Sequence, residues 1–354
     1  MFKKILFLFI FILSRSLFPQ YTDQINSNRP GISIGAYSVG TGVVQFESGI
    51  EYRNYKHKSY NNSISKGKVG FMSIRYGFFK EQLEISYEGI YMLDKLQNQT
   101  LSPIKEYKRE GFLKNFIGVK YLIYDPFKKE KKVDVYSWKA NNTFNIKDLL
   151  PAVSLTIGAN INHKKNNSYP YNDVFSLIYK PFFFSTLILP IKDNPFISGR
   201  ATLATQSHFF GTWVFVTNVT VNRILSDYIE KSYILTLTHA FDPKWSVYIE
   251  TEGISSDIYN DQLFKTGGAY LLNDDIQLEA TLGFNLKDTP SSFLLNTGIS
   301  YRLDFHKDVN PEIKKEERNN AKLLKNEEKE LKKSTKRAAK DSKKATKRAR
   351  KKSK

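Results

Sequence analysis

Ile276-Gln277-Leu278-Glu279-Ala280-Thr281-Leu282-Gly283-Phe284-Asn285-Leu286 decides the fold, because apolar residues hold every even position and polar residues or glycine every odd one. Successive side chains of a β-strand point to opposite faces, so this stretch has one apolar face and one wet face. Leu83 to Tyr91 sets Leu83, Ile85, Tyr87 and Tyr91 against Glu84, Ser86, Glu88 and Ile90. Val44 to Arg53 sets Val44, Phe46, Ile50 and Tyr52 against Gln45, Glu47, Gly49, Glu51 and Arg53. Period two dominates from Val43 to Phe305. Strands of soluble sandwiches run about five to six residues. These segments run roughly ten to thirteen, the length that crosses a bilayer at a tilt. In hydrocarbon every backbone N–H and C=O needs an internal partner, so a sheet that enters a bilayer closes on itself. The expected fold class is all-β, a transmembrane antiparallel β-barrel.

Thirteen segments qualify as strands: 43–54, 68–78, 82–93, 115–124, 152–162, 175–189, 196–206, 211–224, 231–241, 245–254, 263–272, 276–286 and 293–305. An odd count conflicts with the even strand number of bacterial single-chain barrels, whose termini both face the periplasm. Counted from the N-terminus, the tight connection at Lys80-Glu81 is periplasmic, and Asn54 to Gly67 and Asp94 to Lys114 are outer loops. Counted back from the C-terminus, Asp242 to Lys244 and Asn273 to Asp275 are periplasmic, and Leu225 to Glu230 and Ser255 to Gln262 are outer. Both counts follow the short-inside, long-outside rule and collide between Pro151 and Gly211, so one segment there is not a full wall strand. Twelve strands are expected, with fourteen as the alternative.

Composition removes other classes. With no cysteine, the chain has no disulfide scaffold, Cys-zinc site, iron–sulfur cluster or thiol nucleophile. Mean hydropathy is negative, which excludes a bundle of apolar membrane helices. Val174 to Ile191 is broken by Lys180-Pro181 and closed by Pro190, against a spanning helix. Of the net charge of +19, residues 311–354 carry +12 and residues 1–19 carry +3, which leaves +4 on the body.

Residues 1–19 read as a secretory signal peptide, with Lys3-Lys4 before the short apolar run Ile5 to Leu13. An uncleaved N-terminal anchor is the alternative. Residues 20–42 form an N-terminal segment or small plug, residues 43–306 the barrel, and residues 307–354 a basic periplasmic tail. Within the tail, Glu312 to Leu331 is compatible with a charged helix, whereas the Lys/Arg run Lys332 to Lys354 repels itself and stays solvated. Pro311 to Lys354 suits anionic cell-wall polymer, inner-leaflet lipid or an acidic periplasmic protein, or serves only as a soluble tail. Export and the lack of aromatics in the tail argue against nucleic acid.

In a barrel the apolar faces meet lipid and the polar faces line a wet lumen. The candidates for lumen charge and selectivity are Arg29, Glu47, Glu51, Arg75, Glu84, Glu88, Arg200, Glu250, Glu252, Glu279 and Arg302. Tyr52, Tyr55, Tyr76, Tyr121, Tyr124, Trp213, Trp245 and Phe305 lie near strand ends, where interfacial girdles form. Arg29 before Pro30 can anchor the N-terminal segment to lumen carboxylates such as Glu47 or Glu51; an ordinary turn with a surface arginine is the alternative. Asn296, Gly298, Tyr301, Leu303 and Phe305 form a polar-x-Gly-x-x-aromatic-x-apolar ending. It resembles the insertion signal that the barrel assembly machinery reads on outer-membrane proteins.

Ser27-Asn28-Arg29-Pro30-Gly31 and the following Val39-Gly40-Thr41-Gly42-Val43-Val44-Gln45-Phe46-Glu47-Ser48-Gly49 resemble the N-terminal signature of the outer-membrane family labelled "MetA-pathway of phenol degradation". That family has an Asp/Asn-Arg-Pro turn before a Gln-x-Glu-x-Gly strand. Gly268-Ala269-Tyr270-Leu271, Asp275 to Asn285 and Gly298 to Arg302 are similar to its C-terminal part. The resemblance covers roughly Ser27 to Leu303, is weak in its middle third and leaves out the basic tail. It implies an outer-membrane barrel that passes small, often hydrophobic, molecules.

No enzymatic centre is expected. Ser207-His208 and Thr238-His239 place hydroxyl and imidazole on opposite faces of a strand, so neither is a dyad by itself. Gly40-Thr41-Gly42 lacks the third glycine and the helix of a phosphate loop. No cofactor and no metal-ligand spacing are indicated. The sequence therefore points to a channel or transporter for a small solute. The alternative is a non-transporting barrel that acts as an accessory subunit of an outer-membrane complex, its tail docked on a periplasmic partner.

Overall fold

In a computed structural model the residues described are 24–59, 61–126, 150–162, 167–169, 174, 195–257 and 259–306. Alternating sequence becomes wall. The twelve strands are β1 (Val43–His57), β2 (Ser63–Gly77), β3 (Leu83–Asn98), β4 (Lys105–Tyr124), β5 (Ala152–Ile161), β6 (Ile197–Phe209), β7 (Trp213–Ile224), β8 (Glu230–Ala240), β9 (Trp245–Ser255), β10 (Asn260–Asn273), β11 (Ile276–Asn285) and β12 (Ser291–Asp304). Each pairs antiparallel with its chain neighbour, and β1 pairs with β12, so the sheet is a closed barrel without an edge. Because β5 pairs directly with β6, the wall closes at twelve strands; the expected segment 175–189 lies outside the described residues.

The β1–β12 seam runs in one unbroken register from Val43↔Asp304 to Lys56↔Ser291. Both ends of the wall therefore sit at one end of the barrel, here the termini end; the other is the loop end. In β11 the odd residues Glu279, Thr281 and Asn285 are buried, and the even residues Leu278, Leu282 and Phe284 are exposed toward the lipid side.

Several strands outrun their expected ends. Asp94 to Lys114, expected as an outer loop, continues the β3–β4 ladder as far as Asn98↔Lys105. The polar residues there are satisfied by one another: the Arg109 guanidinium donates to Asp94, and Ser65 and Tyr169 hydroxyls donate to the same carboxylate. Most of Asn54 to Gly67 likewise belongs to β1 and β2. A second departure lies at the termini end, where the connection between β4 and β5 spans residues 125–151 and breaks the short-turn rule for that end.

The lumen is not uniformly polar. Val69, Met92, Leu96, Leu113, Tyr169 and Val174 make a buried apolar cluster inside the loop-end half. Tyr55, expected in a girdle, packs on that cluster instead, because it shares the inward odd positions of β1 with Glu47 and Glu51. Tyr52, Tyr76, Tyr124, Trp245 and Phe305 are outward and exposed, as expected.

Candidate functional site

Residues 24–42 precede β1 and lie within the barrel, where inward side chains hold their backbone. Such a segment has no ladder partner, so its N–H and C=O groups must be met by side chains or water. From β1, Glu47 accepts from the Asn28 N–H at 3.1 Å and Gln45 donates to the Asn26 carbonyl at 3.1 Å. From β9, Glu250 accepts from the N–H groups of Ile32 at 3.1 Å and Ser33 at 3.3 Å. Asn218 on β7 takes both backbone groups of Ile34, accepting at 2.6 Å and donating at 2.8 Å, as a neighbouring strand would. Gln206 on β6 accepts from Ala36 at 3.0 Å, and Glu84 on β3 accepts from Val39 at 3.0 Å. Lys120 on β4 donates to the Tyr37 carbonyl at 2.7 Å, and Arg75 on β2 donates to that of Asn26 at 2.7 Å.

These clamps rest on a buried charge network. Arg75 bridges Glu84 at 2.9 Å and Glu47 at 3.6 Å, and Lys120 reaches Glu84 at 3.2 Å. All four side chains are almost wholly buried, so each charge is tolerable only because opposite charges surround it. Burial, with Asp125 beside it, pushes the Tyr37 phenol well above its ordinary pKa.

Arg29 sits over the Phe71 ring, 3.7 Å from its centroid, and bridges Glu279 on β11 at 2.8 Å. Phe71 can lie across the neighbouring strand because residue 49 is glycine: a Cβ there would collide with that ring and with the Thr297 carbonyl. The anchoring carboxylate is thus Glu279, not Glu47 or Glu51. Glu47 is engaged by Asn28 and Ser27, and Glu51 is paired with Arg53 on its own strand. Sequence could not separate these acids, because all face inward and their relative positions depend on the closed barrel.

Toward the loop end, beside Ile32, lies a cavity of about 330 Å3. Within its charged lining, Lys114 and Arg200 meet Glu88, the latter across the lumen from β6 to β3 at 3.0 Å, and Lys265 meets Glu252 at 2.9 Å. Its apolar lining includes Tyr55, Ile90, Leu113, Ile234, Leu263 and Leu294. Arg302 is buried at the termini end, bridging Asp304 at 2.7 Å and lying 3.8 Å from Asp275. The eleven sequence candidates therefore divide: Arg29, Glu47, Arg75, Glu84, Glu250 and Glu279 hold the inner segment, Glu51, Arg200 and Glu252 line the cavity, Glu88 pairs with the lining residues Lys114 and Arg200, and Arg302 stands apart. Sequence reasoning passed over Gln206, Asn218, Lys120, Lys114 and Lys265, although inward parity on expected strands marked most of them.

His208 faces Gln206 at 2.9 Å, and His239 stacks on Trp213 with centroids 4.2 Å apart. Among the described residues no cluster of His, Asp and Glu could hold a metal.

The family model described as "Putative MetA-pathway of phenol degradation" matches residues 27–181 and 184–303. The chain belongs to this family. No curated protein matches it in sequence. Among solved structures it is similar to an outer-membrane channel from Pseudomonas putida F1, at 9% identity and TM-score 0.47, covering 79% of this chain and 100% of that one. It is also similar to the NanC porin, at 8% identity and TM-score 0.39, covering 72% and 100%, and to the Pseudomonas putida toluene transporter TodX, at 9% identity and TM-score 0.38, covering 75% and 91%. At such distances no cargo transfers from one barrel to another. The MetA-pathway family resemblance seen in sequence begins at Ser27, within the segment inside the lumen, and continues into β1. In the MetA-pathway chain described here, Asn28 and Arg29 are the residues gripped by Glu47 and Glu279.

Proposed function

We propose that this MetA-pathway family protein is an outer-membrane channel or transporter for a small solute, closed at rest by residues 24–42. The observation that carries this reading is the clamping of that segment by side chains from β1, β2, β3, β4, β6, β7, β9 and β11, with an amphiphilic cavity left on its loop-end side. Apolar lining beside paired charges suits a solute with an apolar body and a polar group. The termini end faces the periplasm and the loop end the exterior. Glu51, Glu88, Arg200 and Glu252 set selectivity; Arg29, Glu47, Arg75, Glu84, Glu250 and Glu279 set closure; Arg302 braces the termini-end rim. Residues 1–19 export the chain, and the ending from Asn296 to Phe305 engages the barrel assembly machinery. Residues 311–354 reach anionic cell-wall polymer or a periplasmic protein.

Single-channel conductance of reconstituted protein tests this. The full barrel should be nearly silent, and a variant lacking residues 24–41 should conduct steadily. A silent deletion variant that still shows heat-modifiable migration would overturn the proposal. A chain truncated after Val309 should keep uptake; lost uptake together with loss of a co-purifying complex would favour an accessory subunit instead.

A further inference from the structure

On strands that face inward at odd positions in β1 and β2 and at even positions in β3, the remaining positions form the barrel's outer surface. That surface changes character abruptly near the loop end of β1–β4. Tyr52, Leu93 and the edge-to-face pair Tyr91–Phe112 close the apolar belt. The row Tyr52↔Lys68↔Leu93↔Glu110 carries one amine and one carboxylate, and the next row reads Asn54↔Lys66↔Lys95↔Lys108 straight across four strands. Lys56 follows one step further along β1.

Residues directly opposite on neighbouring strands have Cβ atoms about 4.5–5.5 Å apart, and like charges so placed repel. Lys95 has one partner, Glu106 at 3.3 Å. Among the described residues Lys56, Lys66, Lys68 and Lys108 form no ion pair, and all four are exposed. The asymmetry is sharp: at the loop end of β5–β12, Lys231 is the only outward-facing basic residue on a strand among the described residues.

We propose that this lysine row is a docking surface for the phosphates of the glycolipid that forms the outer leaflet. It rests on the orientation given above, with the loop end outside. Charge complementarity selects the partner. The amines stand immediately beyond the apolar belt, the depth at which lipid phosphates lie, and long lysine stems cover apolar surface while their heads reach that layer. Phosphates settling between Lys66, Lys95 and Lys108 add counter-charge that Glu106, the carboxylate paired with Lys95, supplies only in part.

The affinity of detergent-purified full-length protein for bis-phosphorylated lipid A tests the inference. In a Lys66→Gln, Lys95→Gln, Lys108→Gln variant the Kd should rise about a hundredfold at low salt, from about fivefold per lysine near an anionic surface. High salt should shrink the difference. A Lys80→Gln, Lys244→Gln variant loses charge only in the termini-end turns and should bind as the parent does. Dephosphorylated lipid A should bind the parent about as weakly as phosphorylated lipid A binds the first variant. Equal binding by the first variant, equal loss in the second, or equally tight binding of phosphatidylglycerol micelles would each overturn the inference, provided heat-modifiable migration is retained. Because the chain has no cysteine, a Thr100→Cys variant reports orientation alone. Labelling by an impermeant maleimide on intact cells supports the outer-leaflet partner. No labelling overturns both orientation and partner, whereas lost lipid contrast with labelling intact overturns this inference only.

Discussion

Replacing Asn218 with alanine should loosen the inner segment without weakening the wall. The Asn218 amide is buried and closes a two-way pair with the Ile34 backbone, at 2.6 and 2.8 Å. Removing it strands one N–H and one C=O. A net hydrogen bond contributes about 1 kcal/mol, and an orphaned buried group costs about 1–3 kcal/mol, so a loss of about 2 kcal/mol in local docking is expected after water partly repairs the site. That corresponds to roughly a thirtyfold rise in the population with the segment undocked at 25 °C. Hydrogen exchange measured by mass spectrometry reads this directly. Amides of Gly31 to Ala36 should exchange about thirtyfold faster, while those of β7 and β8 keep the parent's protection. Asn218 faces the lumen, and the β7 ladder uses backbone groups only, so the wall has no reason to respond. The reasoning fails if exchange at 31–36 is unchanged, or if β7 and β8 lose protection to the same degree.

Other substitutions probe separate links. Arg29→Ala should undock the segment by about 3 kcal/mol by leaving Glu279 buried without its partner, and adding Glu279→Gln should recover most of that loss in a double-mutant cycle read by the same exchange. Gly49→Ala should cost about 1–3 kcal/mol and lower the thermal midpoint, because the new Cβ meets the Thr297 carbonyl and the Phe71 ring. Gly70→Ala, opposite Ile50 on the next strand and with open space where its Cβ would go, should leave that midpoint in place. In the β11–β12 loop, the hydrogen bond from Lys58 holds the Asp288 carboxyl below its ordinary pKa. The pairing is therefore intact at neutral pH and lost as pH falls through that lowered value; Lys58→Ala should raise the carboxyl's midpoint in an NMR titration.

The wall was legible because its rule is local. Alternation in Ile276 to Leu286 gives the facing of Glu279 and Leu282 without any knowledge of the rest of the chain. Strand ends were less legible, since polarity usually marks a loop, yet Asp94 and Arg109 cancel each other inside an extended hairpin. Tyr55 was misplaced because proximity to a strand end says nothing of facing, which its odd position in β1 does. The anchor of Arg29 was beyond reach: Glu279 is 250 residues away, and only the closed circle of twelve strands brings it within 2.8 Å. Asn218 and Gln206 escaped notice because uncharged amides look like ordinary lumen lining until a peptide backbone is laid beside them.

That grip is on main chain nearly throughout. Ile32, Ser33, Ile34, Ala36 and Val39 are all held by their amides, so the socket specifies a path for the segment rather than its side chains. Residue 32, which faces the cavity, could be exchanged for others with the latch still fastened. A lineage or an engineer could in this way retune what the vestibule admits by editing the insert, while the surrounding cylinder stays as it is.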